Sequence, residues 1–86
     1  MKNILVIEDE SDVAELLSFH LEKEGYRPQI ASDALSALES LRDNPPDLIM
    51  LDLMLPGMSG VEICKIIKGK EKTARIPVIM VTAKGE

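Results

Sequence analysis

Tryptophan is absent from this 86-residue chain, and aromatic residues make up only 2% of it, one phenylalanine and one tyrosine. Nucleic-acid modules that stack bases need aromatic platforms, so the composition argues against that class. A single cysteine cannot close an internal disulfide, and no cluster of Cys and His offers zinc ligands. A reduced, cytoplasmic setting is therefore the expectation. Apolar runs stop at four or five residues, far short of a membrane span or a signal-peptide core. Positive charge is also scarce: ten Lys and Arg stand against fifteen Asp and Glu, a net charge of −5. Such a chain is not drawn to nucleic-acid backbones or anionic membranes by bulk electrostatics. Against these absences stand 45% apolar and 29% charged residues, the balance of a small globular domain, read here as a single domain over residues 1–86.

The apolar residues are grouped in a telling way. Ile4-Leu5-Val6-Ile7, Leu48-Ile49-Met50-Leu51 and Val78-Ile79-Met80-Val81 are continuous and largely branched. Runs of this kind suit strands buried on both faces of a parallel sheet. Arg27 to Ala31 is a weaker strand, and its Pro28 assigns it to an edge. Helical spacing fills the intervals. Ser11 or Asp12 caps a first helix, with Val13, Leu16, Leu17, His20 and Leu21 inward and a left-handed stop at Gly25. Ser32 or Asp33 starts a second, with Ala34, Leu35, Ala37, Leu38 and Leu41 inward and Asn44-Pro45-Pro46 ending it. The third follows Gly60, with Val61, Ile63, Cys64, Ile66 and Ile67 inward. His20 reads as a core-boundary residue and Cys64 as a small buried hydrophobe. The order β-α-β-α-β-α-β specifies an α/β fold, a parallel sheet with right-handed crossovers and helices on both faces.

Chemistry gathers at the strand ends. In open parallel sheets, sites form outside the carboxyl ends of the strands, where strand order reverses. The first strand delivers Glu8 and Asp9 there, the third delivers Asp52, and the fourth delivers Thr82. Three converging carboxylates repel one another. A hard cation such as Mg²⁺ relieves that repulsion, and it is usually held by one or two carboxylates plus phosphate oxygens. A carboxylate in such a place is also a nucleophile toward a phosphoryl group.

With these residues in this order, the chain resembles the receiver domain of two-component response regulators. The resemblance rests on Glu8-Asp9, on Asp52-Leu53-Met54-Leu55-Pro56-Gly57-Met58-Ser59-Gly60, and on Thr82-Ala83. The Met-Leu-Pro-Gly stretch and the closing Val-Thr-Ala-Lys-Gly-Glu look most like receivers of winged-helix, DNA-binding regulators. The resemblance implies a flavodoxin-like doubly wound sheet in the order 2-1-3-4. It implies that Asp52 accepts the phosphoryl group from a sensor histidine kinase. It further implies that Asp9 binds Mg²⁺ directly and Glu8 through water, with the Met54 backbone carbonyl as another ligand. Thr82 is then the switch hydroxyl, Ala83 leaves room for the phosphoryl group, and Met54 and Lys84 tune dephosphorylation.

Family receivers continue with a further helix, strand and helix, and that strand carries a lysine which pairs with the acceptor. Lys84 is not its equivalent, because it directly follows Thr82-Ala83. The chain thus reads as a receiver truncated after the fourth strand, impaired in phospho-switching. One helix, about 10 Å across, would leave about half of a roughly 19 Å sheet face open. The fourth strand would be a bare edge, and self-association through that face and edge is expected. Two other readings stand beside the signalling one. A structural fragment with a vestigial pocket would bind no metal. A Mg²⁺-dependent aspartyl phosphohydrolase of the haloacid-dehalogenase kind would need Asp-x-Asp, and Asp52-Leu53-Met54 lacks the second Asp.

Overall fold

The computed structural model describes residues 2–81. Its elements run β1 (Asn3–Ile7), α1 (Ser11–Lys23), β2 (Arg27–Ala31), α2 (Ala34–Asp43), β3 (Leu48–Asp52), α3 (Gly60–Gly69) and β4 (Val78–Val81). The strands form one parallel sheet in the order β2-β1-β3-β4. The chain steps from β1 outward to β2 and then crosses back past β1 to β3. That reversal opens a crevice at the carboxyl ends of β1 and β3.

Two faces of the sheet have different fates. Leu5, Ile7, Ile49 and Leu51 form one buried cluster with Ala37 and Leu41 of α2 and with Ile63 and Ile67 of α3. The alternate residues Ile4 and Val6 are also buried, on the side where α1 packs against β1 and β2. On that side Leu48, Met50 and Ile79 line an open groove with Ile4, Leu21 and Tyr26. Ile79 is 47% exposed. One helix covers half of the face, as the width of the sheet requires.

The helix ends show how local chemistry sets the frame. After α1, the Tyr26 amide donates to the Leu21 carbonyl and the Gly25 amide to that of Glu22, both at 3.0 Å. Gly25 sits at φ +90°, so this is the glycine-dependent stop expected from the sequence. Asp33 caps α2 by accepting from the Ser36 amide at 2.8 Å. That bond holds its carboxyl below the usual carboxylate value. For α1 the cap differs from expectation. Ser11 and Asp12 lie inside the helix and Glu10 is the N-cap residue, its side chain making no capping bond.

The inward faces also need correction. The face of α1 is set by Ala14, the residue buried against the sheet, with Val13, Leu17, Ser18 and Leu21 half-buried beside it; Leu16 is 58% exposed and His20 points outward. The small Ala14 allows the close approach, which turns Leu16 and His20 away. His20 instead meets Phe19 edge-on at 5.5 Å. Leu35 and Val61, expected inward, are exposed as well. Each follows an inward residue by one position, Ala34 packed against the core and Gly60 buried, so the helical turn carries it away from the sheet and the next burial falls on Ala37 and Ile63.

Candidate functional site

Glu8 follows the last residue of β1 and Asp52 closes β3, and these two strands are direct neighbours. The register therefore brings the two carboxylates to one rim of the sheet. One carboxylate oxygen from each of Glu8, Asp9 and Asp52 lies within 4.8 Å of the other two. Asp9 is exposed, while Glu8 and Asp52 are each only 2% exposed. The Glu8 amide donates to the Ala31 carbonyl at 3.0 Å, which ties the strand exit to β2.

The pocket has too few donors for its charge. Glu8 Oε2 accepts from the Glu10 amide at 3.1 Å, and Asp52 Oδ1 from the Met54 amide at 3.0 Å. Asp52 Oδ2 is enclosed and meets no donor. Burial raises the Glu8 carboxyl above its ordinary value, the Glu10 amide opposes this, and the nearby charges of Asp52 and Asp9 add to the rise. A Glu8 carboxyl donates toward Asp52 only when it is protonated; two ionised carboxylates have nothing to share. An enclosed, donor-less acidic oxygen beside two more carboxylates is an all-oxygen donor set, which suits a hard divalent cation.

The backbone after Asp52 is held from two sides. The Leu53 amide donates to the Val81 carbonyl at 3.3 Å, and the Leu53 carbonyl accepts from the Gly60 amide at 3.0 Å. The start of α3 is fixed in turn by Ser59 and Glu62. Ser59 Oγ accepts from the Glu62 amide at 3.2 Å and Glu62 Oε1 from the Ser59 amide at 3.1 Å. This reciprocal cap was readable in the spacing Ser59-Gly60-Val61-Glu62. Thr82, Ala83 and Lys84 lie outside the described residues. Among the described residues, no helix is long and apolar enough to cross a membrane.

Comparison with known proteins agrees with this architecture. The chain matches the response regulator receiver domain over residues 4–86. It is 47% identical over 85 residues to the phosphate regulon transcriptional regulatory protein PhoB of Escherichia coli, covering 99% of this chain and 37% of that protein. It is 43% identical over 84 residues to the sensory transduction protein RegX3 of Mycolicibacterium smegmatis, covering 98% and 36% respectively. The crystal structure of the N-terminal domain of a response regulator receiver protein from Methanoculleus marisnigri JR1 superposes with a TM-score of 0.92 at 40% identity, covering 96% of this chain and 68% of that one. The fold is that of a flavodoxin-like α/β receiver module. The chain belongs to the response regulator receiver domain family, and it spans a little over a third of the length of these curated relatives.

Proposed function

We propose that this chain is the phosphoacceptor receiver of a two-component response regulator that governs transcription. Asp52 takes the phosphoryl group from a sensor histidine kinase in the cytoplasm. The observation that carries this reading is the enclosed, donor-less Asp52 Oδ2 within reach of Glu8 and Asp9. In the transfer, a carboxylate oxygen of Asp52 attacks phosphorus. The new P–O bond forms as the P–N bond to the kinase histidine breaks, and the imidazole leaves with the electron pair. The Met54 amide fixes the rotamer of the Asp52 carboxylate throughout. Asp9, Asp52 and the Met54 carbonyl would hold Mg²⁺, with Glu8 reaching it through water. When bound, that ion offsets the charge of the carboxylates and of the phosphoryl oxygens. Thr82 supplies a hydroxyl to the phosphorylated state. The module is a substrate and switch, not a turnover enzyme, and its net charge of −5 sets it apart from direct nucleic-acid binding.

The test is metal binding followed by phosphoryl labelling. Millimolar Mg²⁺ is expected to raise the melting temperature of the chain, and acetyl phosphate to add a hydroxylamine-sensitive label that Asp52→Ala abolishes. The label should form slowly on residues 1–86 alone, since the resemblance assigns a pairing lysine to a fifth strand beyond them. A chain indifferent to Mg²⁺ overturns the reading in favour of a vestigial pocket. Steady hydrolysis of a generic phosphomonoester would revive the phosphohydrolase.

A second reading concerns the 86-residue polypeptide in isolation. Leu48, Met50 and Ile79 lie open beside α1, and β4 has no strand on its far side among the described residues. Val78 to Val81 carries neither charge nor proline to blunt that edge. We read the edge and the open half-face as a self-association surface for a second copy. Light scattering at high micromolar concentration is expected to give a dimer mass; a well-folded monomer refutes it.

A further inference from the structure

We propose that Gly60 is a positioning residue for the cation pocket, because its missing side chain lets the first turn of α3 lock the backbone between Asp52 and Met54. The inference rests on the Mg²⁺ reading above and concerns how the pocket is held in shape. Gly60 is buried. A Cβ at this position would stand 2.7 Å from the Asp52 carbonyl oxygen, 2.8 Å from Leu53 Cα and 3.3 Å from the Asp52 carbonyl carbon. All three are backbone atoms, so no flexible side chain is available to yield. Conformation is not the reason for glycine here, since positive φ among the described glycines is confined to Gly25 and Gly57. Space is the reason.

What the close approach achieves is specific to the site. The Gly60 amide reaches the Leu53 carbonyl at 3.0 Å, and the Leu53 amide reaches the Val81 carbonyl at 3.3 Å. Leu53 is thus gripped between α3 and β4. The residues on either side of it are Asp52 and Met54, the carboxylate and the carbonyl assigned to the cation. A methyl group at Gly60 forces α3 and the Leu53 segment apart by several tenths of an ångström. Ile63 and Ile67, buried in the core with the sheet, resist movement of α3, so part of the displacement falls on Asp52 and Met54. Ligand constellations tolerate only about 0.5 Å of error. Gly69, at the other end of the same helix, has nothing within 4 Å of its Cβ direction and provides the control.

The experiment compares wild type, Gly60→Ala and Gly69→Ala by Mg²⁺ titration, reading affinity separately from the melting temperature in EDTA. Gly60→Ala is expected to weaken Mg²⁺ binding about tenfold or more, the usual effect of disturbing the groups that orient ligands. Gly69→Ala should bind as wild type. If Gly60→Ala melts earlier but binds Mg²⁺ with wild-type affinity, the residue is merely structural and the proposal fails while the Mg²⁺ reading stands. A wild type that is silent to Mg²⁺ overturns both. Should Gly60→Ala not fold, backbone amide shifts of the wild type decide. The Gly60 amide is expected to move with the same Mg²⁺ midpoint as that of Met54, with Gly69 still; a still Gly60 refutes the proposal.

Discussion

Asp52→Asn is expected to raise the melting temperature by roughly 4–8 °C in EDTA, a gain of about 1 kcal/mol for a domain of this size. The amide keeps the shape of the carboxylate and its carbonyl oxygen still accepts from the Met54 amide. Its nitrogen gives the enclosed position a donor aimed at Glu8, where Asp52 Oδ2 now meets none. With saturating Mg²⁺ the order reverses. An ion at about 100 times its dissociation constant adds about 2.7 kcal/mol to the protein that binds it, and the variant has lost a ligand. The pH dependence has a definite sign. The folded-state value of Glu8 is raised above 4.5, chiefly by burial. The folded chain therefore holds a proton that the unfolded chain has released. The contribution of Glu8 to stability is fully present below 4.5 and is lost as pH rises through the raised value. Asp52→Asn removes one of the neighbouring charges but not the burial, so the fall becomes shallower without disappearing. A variant that melts below wild type in EDTA would show that the Asp52 carboxylate is satisfied without a cation.

The site was more legible in the sequence than the helix faces were. Continuous branched runs each ending in a carboxylate locate Glu8 and Asp52 at strand exits, and parallel topology leaves little freedom about which rim they share. Pro28 marked the β2 edge for the same reason, since a missing donor leaves few places in a sheet. Helix faces are weaker signals because several inward stripes fit one apolar pattern. In α1 the expected stripe of Val13, Leu16, Leu17, His20 and Leu21 holds at Val13, Leu17 and Leu21, which are half-buried, while Leu16 and His20 give way to Ala14. Side-chain size decides for Ala14, which lets the helix backbone come near the sheet. Leu16 outweighs Ala14 on any hydropathy scale, so hydropathy alone points the wrong way. The role of Gly60 was hidden for a different reason. A glycine before a helix reads as a turn residue, and only coordinates show that the space beside it is filled by the Asp52 carbonyl.

Ile49→Ala and Met50→Ala, one residue apart on β3, are expected to differ several-fold in cost. Ile49 is fully buried in the cluster that includes Ile63 and Ile67. Truncating it leaves a cavity between sheet and helix worth about 2–5 kcal/mol. An 86-residue domain holds roughly 4–13 kcal/mol in total, so the variant sits near the unfolding threshold, and the early onset or loss of its cooperative urea transition measures the cost. Met50 points to the other face, in the groove beside α1. Only part of its surface leaves water on folding, and about 1 kcal/mol or less is lost with the side chain. The contrast depends on that face being open. If a second copy covers it, the cost of Met50→Ala climbs with protein concentration toward that of a core residue, while the cost of Ile49→Ala shows no such trend. Urea unfolding of both variants at low and high micromolar concentration therefore separates an exposed half-face from one closed by association. Equal costs at every dilution would mean that the α1 side of the sheet is covered within the monomer, contrary to the exposure of Ile79.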